Sequence, residues 1–164
     1  MLLYLYSVLT GLNKGAFAGC TGLTSVTIGN SVTSIGDSAF FGCSELMSIV
    51  VDEGNTKYHS AGNCLIKTAT KTLILGCNTS VIPAEGSVTR IGNSAFYTCT
   101  GLTSITIPDN VTSIDFWTFY NCTGLTSITF NGTMEEWNAI SKGIDWKYNV
   151  PATQVVCKDG TVSI

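Results

Sequence analysis

The sequence predicts a repeat β-solenoid. A parallel sheet of short strands forms one face, short helical turns and extended segments form the other, and a helix plus a hairpin cap the C-terminal end. Three observations predict it. Four segments of closely similar sequence recur along the chain. Their cysteines keep a fixed spacing: Cys20 to Cys43 is 23 residues, and so is Cys99 to Cys122. Within each segment the apolar positions suit one buried side only, so a unit cannot bury its own apolar surface until another stacks on it.

The first segment, Ala16-Phe17 through Cys20, Leu23 and Val26-Thr27-Ile28, sets the pattern. The others run from Ala39-Phe40 to Val50-Val51, from Ala95-Phe96 to Thr106-Ile107, and from Thr118-Phe119 to Thr129-Phe130. Each ends in a short strand whose residues alternate inward and outward, with Val26 and Ile28 inward and Thr27 outward. The strands are expected to centre on Thr27, Val50, Thr106 and Thr129 and to form one continuous parallel sheet. Between segments lies a second extended motif: Val32-Thr33-Ser34-Ile35, Val88-Thr89-Arg90-Ile91 and Val111-Thr112-Ser113-Ile114. Ser38-Ala39-Phe40 begins a helical turn that puts Ala39 and Cys43 on one face. Leu9 and Leu12 stand at the offsets of Val32 and Ile35, so the chain is expected to begin inside a repeat of a longer array.

Cys43 and Cys99 lie 56 residues apart, one period plus 33 residues. This insert, 52–85, reads as an enlarged coil. Residues 63–66 and 72–75 form a β-hairpin across Lys67-Thr68-Ala69-Thr70-Lys71, and the hairpin continues the same sheet. After Phe130 the repeat stops. The solenoid is therefore assigned to 1–132 and a cap to 133–164. Thr133-Met134-Glu135-Glu136 is a capping box. The helix it opens carries Met134, Trp137 and Ile140 on one face, with Gly143 as its stop. Asp159-Gly160 marks a hairpin turn.

Charged residues are 12% of the chain, about half the usual share near 25%, and the net charge is −3. With no basic cluster, nucleic acid is an unsuitable partner. Gly, Thr, Ser and Asn interrupt every apolar stretch, which excludes membrane insertion by a long apolar helix. Residues 1–8 lack a basic n-region and a cleavage site, so they read as folded structure rather than a signal peptide.

The period of 23 falls within the leucine-rich-repeat range. The pattern Ile-Gly-x-x-Ala-Phe-x-x-Cys-x-x-Leu-x-Ser-Ile-x-Ile-Pro-x-x-Val-Thr-x-Ile, nearly complete from Ile91 to Ile114, resembles the BspA-like leucine-rich repeats of bacterial surface proteins. The insert, with Tyr58, Asn63, Leu65 and Ile82-Pro83, resembles the long spacer repeat of that family. The resemblance covers roughly Leu9 to Ile164. It implies secretion or surface display, and binding to host, matrix or microbial proteins. It brings no catalytic motif and no cofactor. The sequence departs from the pattern at Glu45 and at Phe116-Trp117. The latter is either an exposed aromatic contact or local repacking, and repacking is preferred.

Few residues suggest chemistry. No close cysteine pair suits a metal site. Cys20, Cys43, Cys99 and Cys122 read as a ladder of buried free thiols, while Cys64 and Cys77 could pair. His59 could in principle activate Cys64, yet no orienting partner is evident, and a surface histidine is the plainer reading. No metal or cofactor site is expected. The outward strand positions carry the ligand expectation: Ser25, Thr27, Ser104, Thr106, Ser127 and Thr129 spend no side chain on the core. The function expected is a non-catalytic adhesion or binding module that uses this sheet face for protein. The alternatives are recognition of a regular lattice or polysaccharide by the hydroxyl rows and, remotely, a Cys/His enzyme.

Overall fold

The computed structural model describes residues 1–5 and 9–164, with no account of the Leu5 side chain. The expectation that 6–8 are folded lies outside the described residues. The strands in order are β1 Leu2–Leu5, β2 Gly11–Leu12, β3 Ser25–Ile28, β4 Ser34–Ile35, β5 Ser48–Val51, β6 Tyr58–Ala61, β7 Cys64–Lys67, β8 Thr72–Leu75, β9 Arg90–Ile91 and β10 Ser104–Ile107. They continue with β11 Ser113–Ile114, β12 Ser127–Phe130, β13 Ser141–Lys142, β14 Gln154–Cys157 and β15 Gly160–Ser163, with the helix α1, Met134–Ala139, between β12 and β13. The chain is a parallel β-solenoid with little helix. Each regular turn contributes one four-residue strand to one face and one two-residue strand to another, as β3 with β4 and β10 with β11 do.

Pairing follows the sequence period. Val26 is opposite Leu3 on one side and Ile49 on the other, and Ile105 is opposite Ile128. Val26, Ile28, Ile105, Ile107, Ile128 and Phe130 are buried, whereas the residues between them face outward. Inter-coil bonds also recur. The hydroxyls of Thr33, Thr112 and Thr126 donate to the carbonyls of Thr10, Thr89 and Thr103, each 23 residues earlier.

The sheet is not continuous. The long strands form two sheets, β1-β3-β5 and β10-β12-β14-β15, and the insert separates them. Nor does the insert extend the long-strand sheet. Its strands β6, β7 and β8 form an antiparallel meander rather than a two-strand hairpin, and β8 pairs in parallel with β9 in the opposite row, giving the sheet β13-β11-β9-β8-β7-β6. The free edge of β5 is satisfied by side chains instead: the Val51 N–H donates to Ser60 Oγ at 3.0 Å and the Ile49 N–H to Asn63 Oδ1 at 3.4 Å. Strand β4 ends the same way, its Ile35 N–H donating to the Tyr58 hydroxyl. Cys64, Leu65 and Ile66 are all fully buried, so β7 is covered on both faces. Leu65 joins the core of the early coils, while Cys64 and Ile66 join that of the later ones. The strand is a partition between two cores.

The predicted helical turns are rows of β-turns. Ala39, Phe41 and Cys43 donate locally to the carbonyls three residues back, and Ser38 and Gly42 have positive φ. This alternation frees every second N–H to reach the next coil, which a helix would forbid.

The capping box of α1 is present: Glu136 N–H donates to Thr133 Oγ1, and Thr133 N–H donates to Glu136 Oε2. The helix ends at Ile140 in extended conformation, so Gly143 is not its stop. Gly143 lies instead where the chain presses on the backbone of Phe116; an added Cβ would overlap the Phe116 nitrogen. Although the sequence repeat ends at Phe130, β13 and β14 continue the rows of β11 and β12, and β15 folds back on β14. No helix among the described residues is long and apolar enough to cross a membrane.

Candidate functional site

The six outward residues do not form one surface. Ser25 and Thr27 lie on the first sheet, beside Ser48 and an exposed Val50. Ser104, Thr106, Ser127 and Thr129 lie together on the second, where Gln154 and Val156 extend the row past β12. Between the two patches, Asn78 bridges the coils: its Nδ2 donates to the Ser44 carbonyl at 2.8 Å, and its Oδ1 accepts from the Gly101 N–H at 3.0 Å. Ser104, Thr106 and Ser127 are exposed, and Thr129 is half-buried.

All seven cysteines are unpaired, Cys64 and Cys77 included. The ladder has a chemical reason beyond size. The Cys43 thiol donates to the Phe17 carbonyl at 3.3 Å and the Cys122 thiol to the Phe96 carbonyl at 2.9 Å. Cys20 departs from the expectation, being only half-buried. Burial pushes the Cys43 thiol up to about 11, the charge of Cys20 adding to it, and pushes Cys122 up to about 12. Cys64 is likewise raised to about 12 by burial. Such thiols stay protonated near neutrality and are poor nucleophiles. His59 is half-buried and not free, because its Nδ1 bonds Thr68 Oγ1 at 2.9 Å. The Cys64 thiol faces the carbonyls of Gly62 and Val81. The two do not form a nucleophile–base pair.

Sequence reasoning missed a groove of about 510 Å³ on the turn face. Its floor is Leu65, Thr72 and Ile74 of the insert. One wall is the turn segment from Ile35 to Phe41, and the other is Gly92–Ser94 with Asp115–Trp117. The insert has no Ala-Phe-x-x-Cys segment, so one member of the turn row is missing. That absence was the available signal. In complete stretches the turn N–H groups of one coil bond the carbonyls of the next. Gly15, Phe17 and Gly19 donate to Asp37, Ala39 and Phe41; Ser94, Phe96 and Thr98 donate to Phe116, Thr118 and Tyr120. The equivalent donors Ser38, Phe40 and Gly42 have no such acceptor among the described residues, and Gly76 of the insert takes the Ala95 carbonyl at 2.8 Å.

The groove's rim is charged and aromatic. Lys14, Lys67 and Arg90 line it, with Asp37 and Asp115. Arg90 Nε pairs with Asp115 Oδ2 at 2.8 Å, while Lys14 and Lys67 have no ionic partner among the described residues. Phe41 and Tyr97 stack at 3.8 Å across one end. At the other end Phe116 and Trp117 are 43% and 42% exposed, so they form an outward aromatic edge rather than a repacked interior. Trp117 holds φ +56°, a conformation a bulky residue adopts only at a cost.

Six copies of the BspA type leucine-rich repeat region match residues 3–71 and 67–141. The chain belongs to this family of leucine-rich repeat proteins. Among solved structures, it is similar to a leucine-rich repeat protein from Eubacterium ventriosum (22% identity, TM-score 0.58, covering 78% of this chain and 41% of that one). It is also similar to the pneumococcal vaccine antigen PcpA (16% identity, TM-score 0.57, covering 93% of this chain and 49% of that one). The chain thus spans less than half the length of either, and at these identities the likeness is one of fold. No curated protein matches.

Proposed function

We propose that this chain is a non-catalytic protein-recognition module displayed by a bacterial surface protein, and that it engages its partner through the outward residues of its long-strand sheets. The observation that carries this reading is the division of labour along each strand. Ile105, Ile107, Ile128 and Phe130 are spent on the core, whereas Ser104, Thr106, Ser127 and Thr129 are not, so they can vary with the partner at little cost to the fold. Family membership supports the reading, as does the fold shared with a pneumococcal vaccine antigen. Raised thiol pKa values and a histidine bonded to threonine supply no activated nucleophile.

The test is an array of purified extracellular proteins printed beside a glycan array. Both are probed with the parent chain and with Thr106→Lys/Thr129→Lys. The double variant should melt within about 0.5 kcal/mol of the parent, since both side chains point away from the core. Protein spots bound by the parent and lost with the variant support the reading. Glycan spots alone would favour the polysaccharide alternative, and protein binding unchanged by the variant would remove the sheet face from consideration.

A further inference from the structure

We propose that the groove on the turn face docks an extended, acidic peptide segment of a partner protein, whose backbone carbonyls pair with the N–H groups of Ser38 and Phe40. This goes beyond the sheet-face reading and does not depend on it. The groove exists because the turn ladder is interrupted. Everywhere else that alternate turn N–H groups face a neighbouring coil, they meet carbonyls two residues apart on that coil. Ser38 and Phe40 keep that spacing and orientation, line the groove, and have no acceptor among the described residues. What fits two donors in this register is a polypeptide backbone, which repeats its carbonyls at the same interval. Sugar hydroxyls hold no such register. On the facing wall, the Asn93 carbonyl receives no hydrogen bond from any described group, so it is open to a peptide N–H.

Charge selects the kind of peptide. The chain is acidic overall, at −3, yet Lys14 and Lys67 line the groove without ionic partners among the described residues, where Asp37 is the one unpaired carboxylate of the lining. An acidic side chain on the peptide would meet them. Beyond the groove, the exposed Phe116–Trp117 edge and Ile144, 79% exposed, offer an apolar contact for a neighbouring residue. The volume of about 510 Å³ falls within the usual range for ligand clefts.

A phage-displayed random heptapeptide library, panned on the intact chain and counter-selected on Lys67→Glu, tests this. Enriched sequences should carry Asp or Glu. A synthetic peptide of the enriched sequence should move the Ser38 and Phe40 amide resonances of the ¹⁵N-labelled chain downfield. Its affinity should fall about tenfold or more in Lys67→Glu, where attraction becomes repulsion. It should fall likewise in Asn93→Trp, which fills the groove from an exposed position, and should persist in Thr106→Lys/Thr129→Lys. The proposal is overturned if no sequence is enriched, if both groove variants bind as well as the parent, or if the shifts fall on Thr106 and Thr129. It is also overturned if chitohexaose shifts the groove amides and no peptide does, which would assign the groove to glycan. Loss of array binding in the sheet-face variant alone would leave the groove result standing, so the two readings fail separately.

Discussion

Replacing Cys122 with alanine should reverse its effect on stability as pH rises. The thiol is fully buried and donates to the Phe96 carbonyl at 2.9 Å. Below about pH 9 it is protonated in both folded and unfolded chains. Alanine there removes a donor and some packing and leaves the Phe96 carbonyl short, a cost of about 1–2 kcal/mol. Above pH 9 the unfolded chain releases the thiol proton, while burial holds the folded pKa at about 12. The unfolded state then binds fewer protons, so the stability of the parent falls by about 1.4 kcal/mol per pH unit from this group alone. By pH 11 that loss is about 3 kcal/mol, and the alanine variant does not share it. The two stabilities should cross near pH 10. Urea unfolding followed by circular dichroism, under reductant at pH 8, 9, 10 and 11, reads the difference; Cys99, whose thiol the Cys122 charge also pushes up, is relieved in the variant and moves the crossing in the same direction. A variant that remains less stable by a constant amount through pH 11 would refute the claim that the fold holds this thiol protonated.

Thr118→Val should cost about 1–2 kcal/mol in the same assay, because the buried hydroxyl donates to the Asp115 backbone carbonyl at 2.8 Å and contacts the Gly92 carbonyl at 3.2 Å, and valine supplies neither bond. Gly143→Ala should cost more than about 1 kcal/mol and lower Tm, since its Cβ would overlap the Phe116 backbone; an unchanged Tm would show that the coils can separate there. Removing 133–164 should produce aggregation or a loss of cooperative melting, because β12 would lose β14, and Phe130 would lose the Trp137 ring now 5.4 Å away. A monomer with the parent's melting point would contradict that role.

Much of this fold is written in the repeat. Period and alternation place Val26, Ile105 and Ile128 inward, and the parallel registers follow, because a repeated apolar residue stacks best on its own copy. The insert is less legible, for a physical reason. Cys64-Leu65-Ile66 is apolar without alternation, and such a run signals burial on both faces without saying which sheet the strand joins. The sequence likewise could not show that Ser60, Asn63 and Tyr58 would satisfy the free edges of β5 and β4, since one side chain bonding a distant backbone leaves no periodic trace. Gly143 is ambiguous in the sequence because a glycine after a helix suits two jobs, a left-handed cap or a close approach, and only the neighbouring coil decides between them. Of the candidate site, the outward direction of all six residues was legible, but their separation into two patches was not.

The insert is also where this repeat acquires individuality. A coil that obeys the repeat pairs its turn N–H groups with the next coil and stacks its ring on the next ring. Phe17 lies on Phe40 at 5.5 Å and Phe96 on Phe119 at 5.1 Å. Such a coil leaves little for a ligand beyond its outward side chains. At 52–85 the chain abandons the turn yet keeps the core, because β7 fills both sides and Tyr58, Ser60 and Asn63 close the backbone edges. The turn row receives no such repair on the side of Ser38 and Phe40. Closing it would take only another Ala-Phe-x-x-Cys segment, of which the chain has several close versions. A solenoid that repairs two of its rows around an insert and leaves the third open has kept its stability and gained a concave surface that its regular coils cannot form. That asymmetry is why the groove, more than any single residue, separates this chain from a uniform stack of the same repeat.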